Sequence, residues 1–187
     1  DRRNALIASD DVATACNDNS FSKFLAPGKI AVIDAEKDVF DSYLSTGDNS
    51  CVGVNAVAFD SKGRLYAACA GDYYLNPGRL VILENGAKTA GIELPGAAPS
   101  KIVVSKWNKA YLTDQMGANL IIVDTEAGKL SKTVKFKEKA FTTSIALTPG
   151  KTVLVTAWDK DRADNLIEVD GETDQIITRY SLTGPGQ

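Results

Sequence analysis

The apolar residues of this chain come in short runs, each cut by a polar turn before a helical period can establish itself. Four of the runs share one pattern, an apolar stretch that ends in an acid: residues 28–34, 78–84, 118–124 and 164–170, closing on Asp34, Glu84, Asp124 and Asp170. The closing acids lie 50, 40 and 46 residues apart, so a unit of about 45 residues recurs along the chain.

The rest of the unit recurs as well. Ahead of each acid-terminated run lie an apolar segment, a polar turn and a second apolar segment: 54–60, 61–63 and 64–69, then 100–105, 106–108 and 109–114, then 143–148, 149–150 and 151–156. After the acid come another turn and another β-prone run, most plainly at Asn85-Gly86, a dipeptide whose tolerance of positive φ makes it a strong hairpin signal. Each unit therefore predicts four short antiparallel strands. A β-sandwich also has short strands and regular turns, but does not require a whole four-strand unit to recur. The pattern predicts an all-β chain, a β-propeller domain over 1–187 with about four four-stranded blades near 4–45, 54–94, 100–136 and 142–183.

The run Pro99-Ser100-Lys101-Ile102-Val103-Val104-Ser105, continued by Tyr111-Leu112-Thr113 and Asn119-Leu120-Ile121-Ile122-Val123-Asp124-Thr125, resembles the YVTN-type β-propeller repeat. Asn55-Ala56-Val57-Ala58-Phe59-Asp60-Ser61-Lys62-Gly63-Arg64-Leu65-Tyr66 is more distantly similar to repeats of gluconolactonase and regucalcin-like propellers. By this resemblance a blade runs from an inner strand beside a central axis to an outer one, and the first unit lacks its inner strand. Bare sheet edges and apolar faces are liabilities, so closure is expected from an incomplete four-bladed ring, a second copy, or further blades of the polypeptide, the last being favoured.

The resemblance places inner-strand entrances and the longer loops, 10–27, 46–53, 71–77 and 158–164, on one face. Loops on a rigid scaffold are where binding usually resides. Asn55, Ser100 and Thr143 stand at the channel entrance, with Asp114 on the same face, and form the candidate ligand site. In regucalcin-like lactonases the position of Asn55 supplies a metal ligand, which implies a divalent cation such as Ca²⁺. Ser100 and Thr143 depart from that pattern, since a hard cation wants carboxylates among its oxygen ligands. Small polar residues lining a water-filled channel are the preferred reading of all three. Acids outnumber bases ten to five over the long loops and their neighbours, which favours cations or a basic partner. A lysine run, Lys129, Lys132, Lys135, Lys137 and Lys139, reads as a charged outer strand that resists strand addition.

Composition narrows the function. The 187 residues include no His, which removes Ser-His-Asp and Cys-His centres and His-ligated zinc from the chemistry this chain can build alone. A net charge of −3 argues against a dedicated nucleic-acid surface, and no apolar run approaches the length of a membrane span. Cys16, Cys51 and Cys69 fit neither a zinc module nor a redox pair. The loop placement implied by the resemblance suggests a Cys16–Cys51 disulfide in an oxidising compartment, with Cys69 an ordinary buried residue; three thiols in the cytosol is the other reading. The expected function is an extracytoplasmic binding or interaction scaffold for a protein or small molecule. A cation-dependent lactonase or lyase, and a structural component of a surface assembly, are the alternatives.

Overall fold

The computed structural model describes residues 4–9 as backbone, and 28–71, 77–136, 141–158 and 164–182. Among them are fifteen strands and no helix: β1 (Asn4–Ser9), β2 (Lys29–Asp34), β3 (Val39–Ser45), β4 (Val54–Phe59), β5 (Leu65–Cys69), β6 (Gly78–Glu84), β7 (Ala87–Leu94), β8 (Pro99–Val104), β9 (Lys109–Asp114), β10 (Asn119–Asp124), β11 (Lys129–Lys135), β12 (Phe141–Leu147), β13 (Thr152–Trp158), β14 (Asp164–Asp170) and β15 (Ile176–Ser181). They form four antiparallel sheets in chain order, one of three strands (β1–β3) and three of four (β4–β7, β8–β11, β12–β15). This is the all-β, β-propeller-type architecture that the repeat predicts. The chain divides into two compact units, Asp1–Pro99 and Ser100–Gln187, with two sheets each and β8 starting at the boundary.

The recurring acid has a local cause. Asp34, Asp124 and Asp170 each use Oδ1 to accept two backbone N–H groups of the turn that follows, from Glu36 and Lys37, Glu126 and Ala127, and Glu172 and Thr173, at 2.7–3.2 Å. Four residues beyond each acid the backbone takes a positive φ, at Asp38 (54°), Gly128 (64°) and Asp174 (56°), and the following strand pairs with a bulge. Glu84 departs from this because its turn is the two-residue Asn85-Gly86, with φ of 50° and 78°, which closes without a side-chain cap. The turn between first and second strands repeats likewise: Asp60, Ser105 and Thr148 accept the N–H of Arg64, Lys109 and Thr152.

Within each unit the two sheets pack through equivalent positions. In the second unit, Tyr111, Leu120, Ile122 and Val134 of the β8–β11 sheet meet Val153, Val155, Ala157, Ile167 and Val169 of the β12–β15 sheet. In the first, Ile30 and Leu44 meet Leu65, Ala67, Cys69, Val81 and Leu83. Counted back from the closing acids, Ile30 corresponds to Leu120 and Val81 to Ile167. Full burial of such a side chain contributes about 1.5–3 kcal/mol, so these two interfaces carry much of each unit's stability.

A partly buried polar latch joins the sheets of the second unit. Lys109 Nζ donates to both carboxylate oxygens of Asp174 at 2.8 and 2.9 Å and to the carbonyls of Gly171 and Glu172, while Lys132 Nζ reaches the Asp174 carbonyl at 2.9 Å. Trp107 Nε1 donates to Tyr111 Oη, which donates in turn to the Gly171 carbonyl, each at 3.0 Å. Gly171 permits this approach, since a Cβ there would lie 2.5 Å from the Lys151 carbonyl and 3.0 Å from the Trp107 ring. Burial pushes the Tyr111 phenol up to about 12, despite the Trp107 hydrogen bond, with the Asp174 and Asp170 charges adding to the rise.

Removing one partner of a fully buried ion pair costs about 3–5 kcal/mol, and for this partly buried pair a smaller loss, on the order of 1–3 kcal/mol, applies. Lys109→Met is therefore expected to lower the unfolding free energy from urea denaturation by that smaller amount. Adding Asp174→Asn, which tolerates the positive φ and removes the stranded charge, should restore a large part of the loss. Equal unfolding free energies for the single and double variants would refute the latch.

Candidate functional site

The connection from β3 to β4, residues 46–53, is a long-loop element that the structure describes in full. Positive φ at Gly47 and Gly53 turns the chain at both ends, and Thr46 and Asp48 exchange hydrogen bonds between side chain and backbone. The Cys51 N–H donates to the Asp48 carbonyl, the Gly28 N–H to the Cys51 carbonyl, and the Ala70 and Gly71 N–H groups to Gly53 and Val52. These last two bonds carry the β4–β5 ladder beyond its strands, and the positive φ at Gly53 bends the chain there. Cys51 lies beside Cys69, at a Cα–Cα distance of 5.3 Å, and a disulfide joins them.

The cysteine pairing expected from loop placement is thus corrected: Cys51 bonds Cys69, the last residue of β5, and not Cys16, which lies outside the described residues. Loop placement counts faces, whereas a bridge needs Cα atoms within about 7 Å, a condition that Cys51 and Cys69 meet. Cys69 holds the sheet-packing position that Ala157 holds in the second unit, and both sulfurs are fully buried.

Asp48 fastens the same loop electrostatically. Its Oδ1 accepts the Ser50 N–H at 2.9 Å, and its Oδ2 lies 2.8 Å from Lys88 Nζ and 3.5 Å from Arg79 Nε. Arg79 also bonds Glu93. A Cβ on Gly91 would lie 2.6 Å from Asp48 Oδ2, so a glycine leaves room for the carboxylate. Burial pushes the Asp48 carboxyl up, but the hydrogen bonds from Lys88 and Ser50 and the charges of Arg79 and Lys88 outweigh it and hold the group below the ordinary carboxylate value.

Just past this loop Asn55 sits on a bulge of β4, exposed, with Nδ2 donating to the Pro99 carbonyl at 3.1 Å. Thr143 occupies the matching bulge of β12, also exposed, with Oγ1 2.8 Å from Thr156 Oγ1. In each case the preceding residue, Val54 or Thr142, is buried. Ser100, second residue of β8, is half-buried, and its neighbour Lys101 donates N–H to Thr113 Oγ1.

Asp114 is 1% exposed, with a structural assignment for its carboxylate: Oδ1 accepts the Met116 N–H and Oδ2 the Asn119 amide, closing the β9–β10 turn. Its backbone N–H and carbonyl both bond Thr142 Oγ1, which ties β9 to β12. Most long-loop acids lie outside the described residues, and the two seen here, Asp48 and Asp114, both turn inward. Among the described residues no three His, Cys, Asp or Glu side chains gather as a metal site, and no helix is long and apolar enough to cross a membrane. Trp158 ends β13 and stacks on Phe141, its cross-strand partner, at 4.8 Å between ring centroids. Lys129, Lys132 and Lys135 do lie on the outer strand β11, where Lys132 belongs to the latch; Lys137 and Lys139 lie outside the described residues. Thr113, Thr142, Lys109 and Asp174 were assigned no role in the sequence reading, and Lys132 was read only as part of a charged outer strand.

Neither a protein-family profile nor a curated protein sequence matches the chain. Solved structures do. Kuenenia stuttgartiensis hydrazine synthase is similar at a TM-score of 0.67 and 16% identity over 82% of this chain and 43% of that one. Dihydro-heme d1 dehydrogenase NirN in complex with DHE gives 0.61 and 13% over 85% and 34%. A protein from Lactobacillus plantarum gives 0.66 and 15% over 97% and 53%. At such identities the likeness establishes the fold alone, and the chain spans between about a third and about a half of the length of these proteins.

Non-reducing digestion is expected to yield a peptide pair linked through Cys51 and Cys69. Replacing both by Ser should cost about 3 kcal/mol in chemical denaturation, the value for a closed loop of this length. A Cys16-containing linked pair would contradict the assignment. Because the folded-state pKa of Asp48 is depressed, its stabilisation is complete above the unfolded value of about 3.9 and is lost as pH falls through the folded value. Asp48→Asn should therefore be less stable than wild type at pH 7, and the gap should narrow as pH falls below the unfolded value and through the depressed folded one.

Proposed function

We propose that this chain is part of an extracytoplasmic β-propeller that works as a binding scaffold, with a ligand-contacting position at the bulged first strand, β4 or β12, in each unit. The observation that carries the reading is the repeated bulge: β4 and β12 each turn one small polar side chain, Asn55 and Thr143, out to solvent while the flanking residue is buried. Bulges re-aim side chains and recur beside functional sites. The adjoining 46–53 loop, held by a disulfide and by Asp48, supports the same reading, because a pre-ordered loop loses less conformational freedom when a ligand arrives. The disulfide favours an oxidising compartment. The YVTN-type character of the units rests on the 99–125 motif, whose polar turn residues fill capping roles in the structure.

Thermal-shift titration with a panel of small sugars, amino acids, Ca²⁺ and Mg²⁺ tests this reading. A scaffold is expected to show a saturable shift with at least one probe, abolished in Asn55→Ala or in Thr143→Ala while the unliganded melting temperature stays within a degree or two, on the order of a neutral surface change. Stoichiometric divalent cation lost in Asn55→Ala, together with lactone hydrolysis, would instead establish the enzyme reading. Reduced Cys51 and Cys69 in protein from its native source would overturn the extracytoplasmic placement.

A further inference from the structure

The two sheet interfaces described above define two kinds of face. One carries the positions of Tyr111, Leu120, Ile122 and Val134; the other carries those of Val153, Val155, Ile167, Val169 and Ile176. Strand register lets both be traced onto sheet faces outside these two clusters. On the β12–β15 sheet the first kind of face consists of Leu154, Leu166, Glu168 and Tyr180, the counterparts of Tyr111, Leu120, Ile122 and Val134. Where the counterparts in the β8–β11 sheet are buried, Leu154, Leu166 and Glu168 are partly exposed and Tyr180 is 48% exposed. On the β1–β3 sheet the second kind of face includes Ala31, Ile33 and Phe40, the counterparts of Ile167, Val169 and Ile176, with Tyr43 alongside. Phe40 and Tyr43 are 53% and 59% exposed, and their rings touch at 4.9 Å. By contrast, every residue of β5 is buried, so residues on both of that strand's faces are covered.

We propose that the Leu154–Leu166–Glu168–Tyr180 face is an interface that takes the Ala31–Ile33–Phe40–Tyr43 face of a second copy of this chain. The argument is complementarity of kind. Each face is one half of a packing that the chain already uses twice, and the half it lacks is the one the other face supplies. Charge agrees: Glu168, held by the Tyr180 hydroxyl at 3.1 Å, stands where Ile122 is buried, and the opposing face carries Lys29, whose Nζ lies 5.6 Å from the centre of the Tyr43 ring. The contact is head-to-tail, so it makes a ring if the rotation closes and a filament if it does not.

Sedimentation velocity over a concentration series tests it. The wild-type chain is expected to associate reversibly. Leu166→Asp on one face and Phe40→Asp on the other should each weaken association by about tenfold or more, because each buries an unpaired charge in the contact. Far-UV circular dichroism and an intact disulfide check that both variants fold. Mixed together, they retain one good face each and should form a 1:1 heterodimer that stops there. A wild-type monomer at the highest attainable concentration, which would leave these faces to other sheets, overturns the proposal. So does association that survives both substitutions, or a mixture that forms no heterodimer. None of these outcomes depends on ligand binding at Asn55 or Thr143, so the interface and the binding site fail separately.

Discussion

A four-stranded sheet with apolar side chains on both faces and no helix to cover it has one way to leave water, which is to lie against another such sheet. That constraint governs this protein. It explains why Ile30 and Leu44 repeat the placement of Leu120 and Val134, and why Cys69 stands where Ala157 does. Each position must fit the same gap between sheets. The polar groups that remain inside are those the packing can satisfy, as when Lys109 and Tyr111 cross the interface to the carbonyls and carboxylate of the 171–174 turn.

Around this packing the acids do mostly structural work. Asp34, Asp124 and Asp170 hold turns, Asp60 binds Arg64, Asp114 closes the β9–β10 turn, and Asp48 anchors the loop before β4. A count of charges over the long loops treats such groups as a solvent-facing field, whereas Asp48 and Asp114 are internal. What the scaffold turns outward at the bulges is amide and hydroxyl, Asn55 and Thr143. Chemistry of that kind suits hydrogen-bonded recognition by a pre-ordered surface.

Much of the fold was legible from the chain because strands and turns are decided locally. Asn85-Gly86 reads as a hairpin since both residues accept positive φ, and the apolar run closed by Asp124 reads as a strand followed by a capped turn. The candidate site was legible only in part. Asn55 and Thr143 were found as matching positions of a repeat, and the structure places both on bulges. The burial of Asp48 and Asp114 was not visible: Asp48 meets Lys88 and Arg79 from distant strands, and Asp114, whose carboxylate bonds the nearby Met116 and Asn119, lies where Thr142 ties β9 to β12.

The sequence alone determined the unit: its length, its strands, the turn residues that stop them, and the unbroken apolar runs, such as Leu120-Ile121-Ile122-Val123, that put apolar residues on both sides of a sheet. These depend on contacts within a few residues, where residue type sets backbone conformation and burial period. Only the tertiary structure decided which cysteine meets Cys51, which acids are buried, and which side of each sheet is covered. Those outcomes rest on the approach of residues distant along the chain, such as Lys109 and Asp174 or Asp48 and Lys88, and that approach is set by how sheets stack.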